Sequence, residues 1–416
     1  MPMSDLQPVR GTHDILPEDH RRHRQVTETA RQIAARYGYE EISTPVFEFS
    51  EVFKRTLGET SDIVTKEMFS FEDRGGEQLT LRPEVTAGVA RAFISGGLAQ
   101  HLPLKFFCQG PMFRYERPQK GRQRQFHQID VELLGVDGPL ADIEIISLAA
   151  HILDALGVAD KVTLELNTLG DTESRQSYRT KLVGYLEGFK DKLSEDSLAR
   201  LDRNPLRILD SKDQGDRAVI ADAPLLEDHM NDASKAFFED VQKGLKTAGI
   251  EYKINPTLVR GLDYYCHMAF EFTTETLGAQ GAVLAGGRYD GLIEAMGGPP
   301  TPGTGWAAGV ERLALMIAEP PGPARPVAVV PIGQAAEAEA LSLVQRLRRA
   351  GFTADLGFSG NLQKRLKGAN KANAVAAVII GEDELAKGAA TVRDMETGEQ
   401  TEVKLSALED HLARYR

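Results

Sequence analysis

Three arginines stand in separated segments that otherwise read as strand or turn: Arg114 in MFRYER, Arg260 in LVRGLDYY (258–265) and Arg312 in GTGWAAGVERL (303–313). A buried guanidinium is costly unless an anion neutralises it. For Arg260, Asp263 is a local partner that could hold a turn, and a ligand anion is the alternative. Arg312 falls near the start of a helix, where the macrodipole disfavours a cation. Glu311 beside it could compensate, or an anion could sit there.

The densest polar stretch is MFRYERPQKGRQRQFHQIDVELLG (112–135), an antiparallel hairpin with a long basic tip holding Pro118, Lys120 and Gly121. In its second strand Arg124, Phe126, Gln128, Asp130 and Glu132 share one parity, and His127, Ile129, Val131 and Leu133 the other. The apolar parity goes to the core. A solvated sheet face would look similar, but the opposite face reads better as a pocket wall, because solvent rarely calls for a Phe inside a row of hydrogen-bonding groups. Arg82, Glu84 and Thr86 in LTLRPEVTAG also share a parity, and a surface Arg–Glu ladder explains them as well as a pocket does. LAGGRYDGL (284–292) supplies glycines for close backbone approach, or for a β-turn, together with Tyr289 and an acid. Arginines, carboxylates, tyrosines and one ring suit a polyanion plus a small polar organic ligand. The sequence has no G-x-x-x-x-G-K-[ST], so a P-loop cradle for ATP is excluded; it has no zinc-ligand pattern and no G-x-S-x-G elbow.

These groups need two kinds of scaffold. PPGPARP (320–326) is the clearest linker, since proline and glycine remove helix and strand options together. After it, strand and helix patterns alternate: VAVVPIG, EAEALSLVQRLRRAGF, TADLGF, NLQKRLKGANKA, VAAVIIG, a hairpin over ATVRDMETGEQTEV, and LSALEDHLARYR. That is a compact α/β domain with parallel pairing. The first 320 residues read as α+β around an antiparallel sheet, with a helical insertion at about 171–254, where strand signals fade and amphipathic charged runs take over.

A chain of 416 residues is too long for one ordinary core. Its two cysteines, Cys108 and Cys266, show no C-x-x-C spacing, which argues against a disulfide framework or structural zinc and fits a reducing cytosol. With no apolar leader and no membrane-length apolar run, a soluble cytoplasmic protein is expected. The net charge of −12 argues against a general nucleic-acid coat. The residues from Ala324 onward are near neutral, and QKRLKGANK (363–371) is a local basic cluster whose simplest reading is a solvated helix face.

The order of these segments resembles the class II aminoacyl-tRNA synthetases, and among them the histidyl-tRNA synthetase family. RYGYEEISTPVFE (36–48) is similar to the first class motif, which forms the dimer interface in relatives. FRYER with QFHQIDVE is similar to the second motif and GTGWAAGVERL to the third. LVRGLDYY and AGGRYDGL resemble the two histidine-specific segments, VRGTHDILP (9–17) the family's start, and the tail with IIGEDEL its anticodon-binding domain. The resemblance covers essentially the whole chain and implies a catalytic domain at 1–320 with its insertion, a linker at 320–326 and an anticodon-binding domain at 326–416.

It also implies roles. Arg114 would hold the ATP α-phosphate and the histidine carboxylate, with Glu116 and Arg122 placing the nucleotide, Phe126 under adenine and Arg312 at the γ-phosphate. Glu84, Thr86 and Gln128 would receive the α-amino group. Glu132 and Tyr265 would contact the imidazole, with Tyr264 beside them and Tyr289 closing the pocket, and Arg260 would lie across the reacting phosphate. The implied activity joins L-histidine to the 3′-terminal adenosine of tRNA(His) through histidyl-adenylate. It uses ATP with Mg2+, in a homodimer, with no tightly bound cofactor or structural metal. Two other readings are a non-catalytic paralogue regulating ATP phosphoribosyltransferase, which typically lacks the tail and the LVRGLDYY arginine, and a synthetase for proline, threonine or glycine. Val85, Asp130, Cys266, His267 and Trp306 depart from the family's usual residues, which leaves substrate affinity and acceptor-end discrimination open.

Overall fold

The computed structural model describes residues 6–57, 63–119, 121–259, 264–278 and 281–415, and the chain divides into two compact units after Pro320. The strands of the first unit are β1 (Glu40–Glu41), β2 (Phe47–Phe49), β3 (Phe69–Glu72), β4 (Gln78–Leu81), β5 (Leu104–Phe113), β6 (Gln125–Leu134), β7 (Thr163–Gly170), β8 (Lys253–Ile254), β9 (Cys266–Thr273), β10 (Ala282–Arg288) and β11 (Gly303–Gly309). Its helices are α1 (Pro17–Arg36), α2 (Ser50–Leu57), α3 (Thr86–Ser95), α4 (Pro139–Ala155), α5 (Thr172–Glu187), α6 (Glu195–Arg203), α7 (Gln214–Ile220), α8 (Asp232–Thr247), α9 (Leu292–Ala295) and α10 (Val310–Ala314).

Eight strands form one sheet in the order β1-β5-β6-β11-β10-β9-β7-β8, antiparallel except at its two ends, where β1 pairs with β5 and β7 with β8 in parallel. This is the α+β antiparallel architecture expected from the alternating patterns. The parity of β6 decides the sheet's orientation. Ile129, Val131 and Leu133 are buried in one core with Ile145, Ile146 and Ala149 of α4. Helix α1 starts at Pro17 with Glu18 and Asp19 in its first turn, and its stripe Val26, Ala30, Ile33 and Ala34 enters the same core. Trp306 of β11 is buried there too, its Nε1 donating to the Ile145 carbonyl at 2.9 Å.

Between β7 and β8 the chain is helical. Asp171, Ser194, Asp213 and Asn231 cap α5, α6, α7 and α8 through their side chains. Helix α8 packs against α4 and buries Val241 and Leu245 in the core beneath the main sheet, and Lys253–Ile254 rejoins the sheet as β8.

The paired glycines of LAGGRYDGL do not make a turn, whereas Gly291 does, the Leu292 N–H donating to the Tyr289 carbonyl at 3.1 Å. Gly286 and Gly287 lie inside β10, where a Cβ on the first would run into the Gly305 carbonyl and on the second into the Met268 carbonyl and the Tyr265 ring. Arg288, which follows, is fully buried. Its Nε and one terminal nitrogen donate to Asp142 at 3.0 and 2.6 Å, and the remaining donors reach Asp290 and the carbonyls of Val136 and Gly138, each at 3.0 Å. Thr304 donates to the other Asp142 oxygen at 3.0 Å.

The second unit contains β12 (Val327–Pro331), β13 (Ala354–Leu356), β14 (Ala376–Ile380), β15 (Ala389–Asp394) and β16 (Gln400–Lys404), with α11 (Gln334–Arg349), α12 (Leu362–Lys371), α13 (Glu382–Ala386) and α14 (Leu408–Leu412). The sheet order is β13-β12-β14-β15-β16. Pairing is parallel only around β12; the hairpin β15–β16 adds antiparallel strands, so the sheet is mixed. Lys364, Lys367 and Lys371 of the basic run are exposed on α12, whereas Arg365 turns back to the Pro331 and Gly360 carbonyls at 2.6 and 2.8 Å. Among the described residues no helix is long and apolar enough to cross a membrane.

Arg288→Met leaves Asp142 buried without its ion partner. Urea unfolding is expected to show a loss of about 3–5 kcal/mol, the usual result of breaking a buried pair from one side.

Candidate active site

The polar face of β6 forms the wall of a cleft of about 1130 Å3 including its open mouth. Phe126, Gln128 and Asp130 come from β6, Glu84 and Thr86 from the start of α3, and Arg114, Glu116 and Arg122 from the tip of the β5–β6 hairpin. Tyr264 and Tyr265 stand opposite, with Arg312 from α10. Glu132 and Tyr289 lie behind this wall as a buried pair, the tyrosine hydroxyl donating to the carboxylate. Residues 260–263 are outside the described residues, so Arg260 and its local candidate partner Asp263 are not placed; Lys120 is outside them as well.

One end of the cleft is acidic and almost dry. Glu84, Asp130 and Glu132 are all buried. Burial pushes the Glu132 carboxyl up to about 8, against hydrogen bonds from Thr86 (2.5 Å) and Tyr289 that favour its ionised form. Burial also raises Glu84. It raises Asp130 well above the carboxylate range, and the nearby charges of Glu132 and Glu84 add to the effect. Glu84 Oε2, Gln128 Oε1, Asp130 Oδ2 and the Tyr264 hydroxyl are buried with no hydrogen-bond partner among the described residues. Orphaned polar atoms on the wall of a cleft mark where a ligand's donors belong.

The other end is basic. Arg122 pairs with Glu116, and Arg114 donates through Nε to the Pro83 carbonyl at 2.9 Å while its guanidinium lies 5.3 Å from the centre of the Phe126 ring. Arg312 donates to the Ala282 carbonyl. Desolvation lowers the pKa of both Arg122 and Arg312, and each is lowered further by a neighbouring arginine, Arg114 for the first and Arg122 for the second. An anion placed between these side chains would relieve that repulsion.

Several local expectations change once the elements are seen. Strand β4 ends at Leu81 and α3 begins at Thr86, so Arg82, Glu84 and Thr86 are not a surface ladder. Arg82 is buried beneath Gly110 and donates to Pro111 O at 2.9 Å and to Thr44 O and Oγ1 at 2.9 and 3.1 Å. Glu84 Oε1 accepts the Ala87 N–H at 2.9 Å at the helix start. Glu311 does not compensate Arg312. Its carboxylate accepts the His127 backbone N–H at 2.9 and 3.0 Å and lies 2.9 Å from His127 Nδ1, tying β6 to α10. Helix α10 spans only five residues, which leaves little macrodipole for an anion to meet. Neither the Arg82 anchor nor the Glu311–His127 tie has a sequence signal, because each joins residues far apart in the chain.

All three buried carboxyls bind protons more tightly in the folded than in the unfolded chain. Stability of the ligand-free protein is therefore present at acid pH and falls as pH rises from about 5 through 8, where Glu132 ionises. Urea midpoints at pH 5.5 and 8.0 are expected to show that fall, and Glu132→Gln to reduce it.

A sequence model of the histidyl-tRNA synthetase family matches residues 11–313, and one of an anticodon binding domain matches residues 326–415. The chain is 62% identical over 414 residues to a histidine–tRNA ligase of Rhodospirillum rubrum, covering 99% of this chain and 100% of that protein. It is 57% identical over 411 residues to one of Gluconacetobacter diazotrophicus, covering 99% of each. The crystal structure of apo S. aureus histidyl-tRNA synthetase superposes with a TM-score of 0.82 at 34% identity, over 98% of this chain and 99% of that one. With the antiparallel sheet, the charge-divided cleft and the appended α/β unit, these matches place the chain in the histidyl-tRNA synthetase family of class II aminoacyl-tRNA synthetases.

Proposed function

We propose that this chain activates L-histidine with ATP, giving histidyl-adenylate and pyrophosphate, and then passes the histidyl group to the 3′-terminal adenosine of tRNA(His). The observation that carries this reading is the division of the cleft into a buried acidic end and a basic end. Histidine brings a cation to the first, ATP brings a polyanion to the second, and the histidine carboxylate meets the α-phosphate between them.

The α-ammonium group sits at Glu84, Thr86 and Gln128, where the orphaned Glu84 Oε2 and Gln128 Oε1 accept its protons. Glu132, held at neutral pH mainly in its protonated form, offers a hydrogen bond to an imidazole nitrogen, with Tyr265 as the second contact and Tyr264 and Tyr289 closing the walls. Apolar competitors leave these groups unpaired, which rejects them without editing. Arg114 bridges the α-phosphate and the substrate carboxylate, Glu116 and Arg122 place the nucleotide, Phe126 stacks with adenine and Arg312 meets the γ-phosphate. Magnesium arrives with ATP. A carboxylate oxygen attacks the α-phosphorus and the bond to pyrophosphate breaks, so the barrier is largely repulsion between two anions, which fixed guanidinium groups reduce. Arg260 is assigned to that reacting phosphate from the motif alone.

In the second step a terminal ribose hydroxyl attacks the histidyl carbonyl and AMP leaves, with the 117–124 loop near the acceptor end and the residue 326–416 domain reading anticodon bases. A homodimer is supported by the exposed rings of Phe47 and Phe49 on β2 and Phe71 on β3, a hydrophobic sheet face that a second subunit would cover. A cytoplasmic location follows from this role in translation. The full-length match to histidine–tRNA ligases, anticodon domain included, favours the ligase over the regulatory paralogue.

Pyrophosphate exchange into ATP, run with each of the twenty amino acids, is expected with histidine only. Arg260→Ala is expected to slow it about a hundredfold or more, the scale of losing one transition-state charge stabiliser. A folded, ATP-binding sample that exchanges with no amino acid would overturn the ligase reading.

A further inference from the structure

On the far side of the Glu311–His127 tie lies a second cavity of about 700 Å3 including its mouth, walled in part by His13, Asp19, Arg22, His23 and Glu311. We propose that His23, His127 and Glu311 form a binding site for a zinc-class divalent transition metal, with its open coordination position facing this cavity. The proposal is independent of the amino-acid and ATP assignments above.

Three observations lead to it. The donor set is two imidazoles and one carboxylate, a combination that suits zinc and its first-row neighbours rather than magnesium, which prefers oxygen ligands and bound water. The groups come from three elements, α1, β6 and α10, and one donor atom from each lies within 4.8 Å of the others. Metal–nitrogen bonds of about 2.0–2.1 Å in a tetrahedral site put neighbouring donors roughly 3.3 Å apart, a spacing these three groups approach. The ring of His23 already stands edge-on to that of His127, with centroids 5.6 Å apart and planes at 71°.

The tie between Glu311 and His127 accounts for two of these groups without a metal. It does not account for the third. His23 continues the inward stripe of α1 one turn before Val26, and a histidine there extends an otherwise apolar row with a ligating group aimed at the pair. Arg22, the cation in the cavity wall, is drawn toward Glu319 at 3.6 Å, while exposed Asp19 and His13 supply further oxygen and nitrogen donors at the mouth. A metal here would cross-link α1 to the strand bearing Phe126 and to the helix bearing Arg312. It would also leave a position for water or an exogenous ligand.

The test uses full-length protein stripped with a chelator, desalted, and titrated with Zn2+ against a chromophoric chelator of known affinity. The wild-type chain is expected to withhold one equivalent of zinc. His23→Ala is expected to bind at least tenfold more weakly, while His20→Ala, which removes a neighbouring exposed histidine, behaves as wild type. His23→Gln, which keeps a polar side chain of similar size, gives the same answer should the alanine variant fold poorly. Visible absorption of the Co2+-loaded chain is expected to show a low-symmetry nitrogen- and oxygen-ligated spectrum that His23→Gln abolishes. A wild-type chain that withholds no zinc, or a His23→Gln chain that withholds as much as wild type, overturns the proposal.

Discussion

Three carboxyl groups buried at one face of an antiparallel sheet, two from β6 and one from the start of α3, are the constraint on which this site depends. Glu84, Asp130 and Glu132 sit where water is excluded, and burial drives each toward its protonated form. Such an arrangement costs stability in the empty protein and persists because the rest of the fold holds it. The apolar parity of β6 is locked into the core under α4, so Asp130 and Glu132 cannot turn away without exposing Ile129, Val131 and Leu133. Thr86 and Tyr289 hold Glu132 from either side, and the start of α3 holds Glu84. The same frame aims the hairpin tip and α10, and with them Arg114, Arg122 and Arg312, at the opposite end of the cleft.

The arginines sort into two physical classes. Arg82 and Arg288 are buried with their donors directed to carbonyls or carboxylates that belong to the fold. They fasten segments that lie far apart in the chain. Arg114, Arg122 and Arg312 line the cleft, and desolvation, with a lesser part from like charge among them, lowers the pKa of Arg122 and Arg312. On the proposed assignment, a site that repels itself and is relieved by an anion is preorganised for phosphate, and the acidic end is the mirror case for an amine.

Much of this was legible in the sequence. Alternation in QFHQIDVELL marked both the core face and the polar wall, because the strand period is two and one face is apolar from Ile129 onward. The helix, strand and hairpin order after Pro326 followed from equally plain patterns. The linker prolines marked a boundary for the same reason they break structure. Of Arg82, Glu84 and Thr86, left open between ladder and pocket, the last two line the cleft while Arg82 turns into the fold, since a shared parity means nothing once Pro83 ends the strand and a helix begins. The glycines of LAGGRYDGL were ambiguous between turn and close approach until their neighbours across the sheet were known. Glu311 and His127, 184 positions apart, could not be paired from the sequence at all. Long-range contacts made by ordinary residue types carry no local signature.

The claim that the cleft is divided by charge is tested most directly by steady-state pyrophosphate exchange on two variants, Glu84→Gln and Arg312→Gln. The account predicts a split: Glu84→Gln raises KM for histidine about tenfold or more with KM for ATP little changed, and Arg312→Gln does the reverse, each loss being about the 1.5–3 kcal/mol of a hydrogen bond to a charged group. Equal effects of either variant on both substrates would contradict the division and leave these residues as props of the fold.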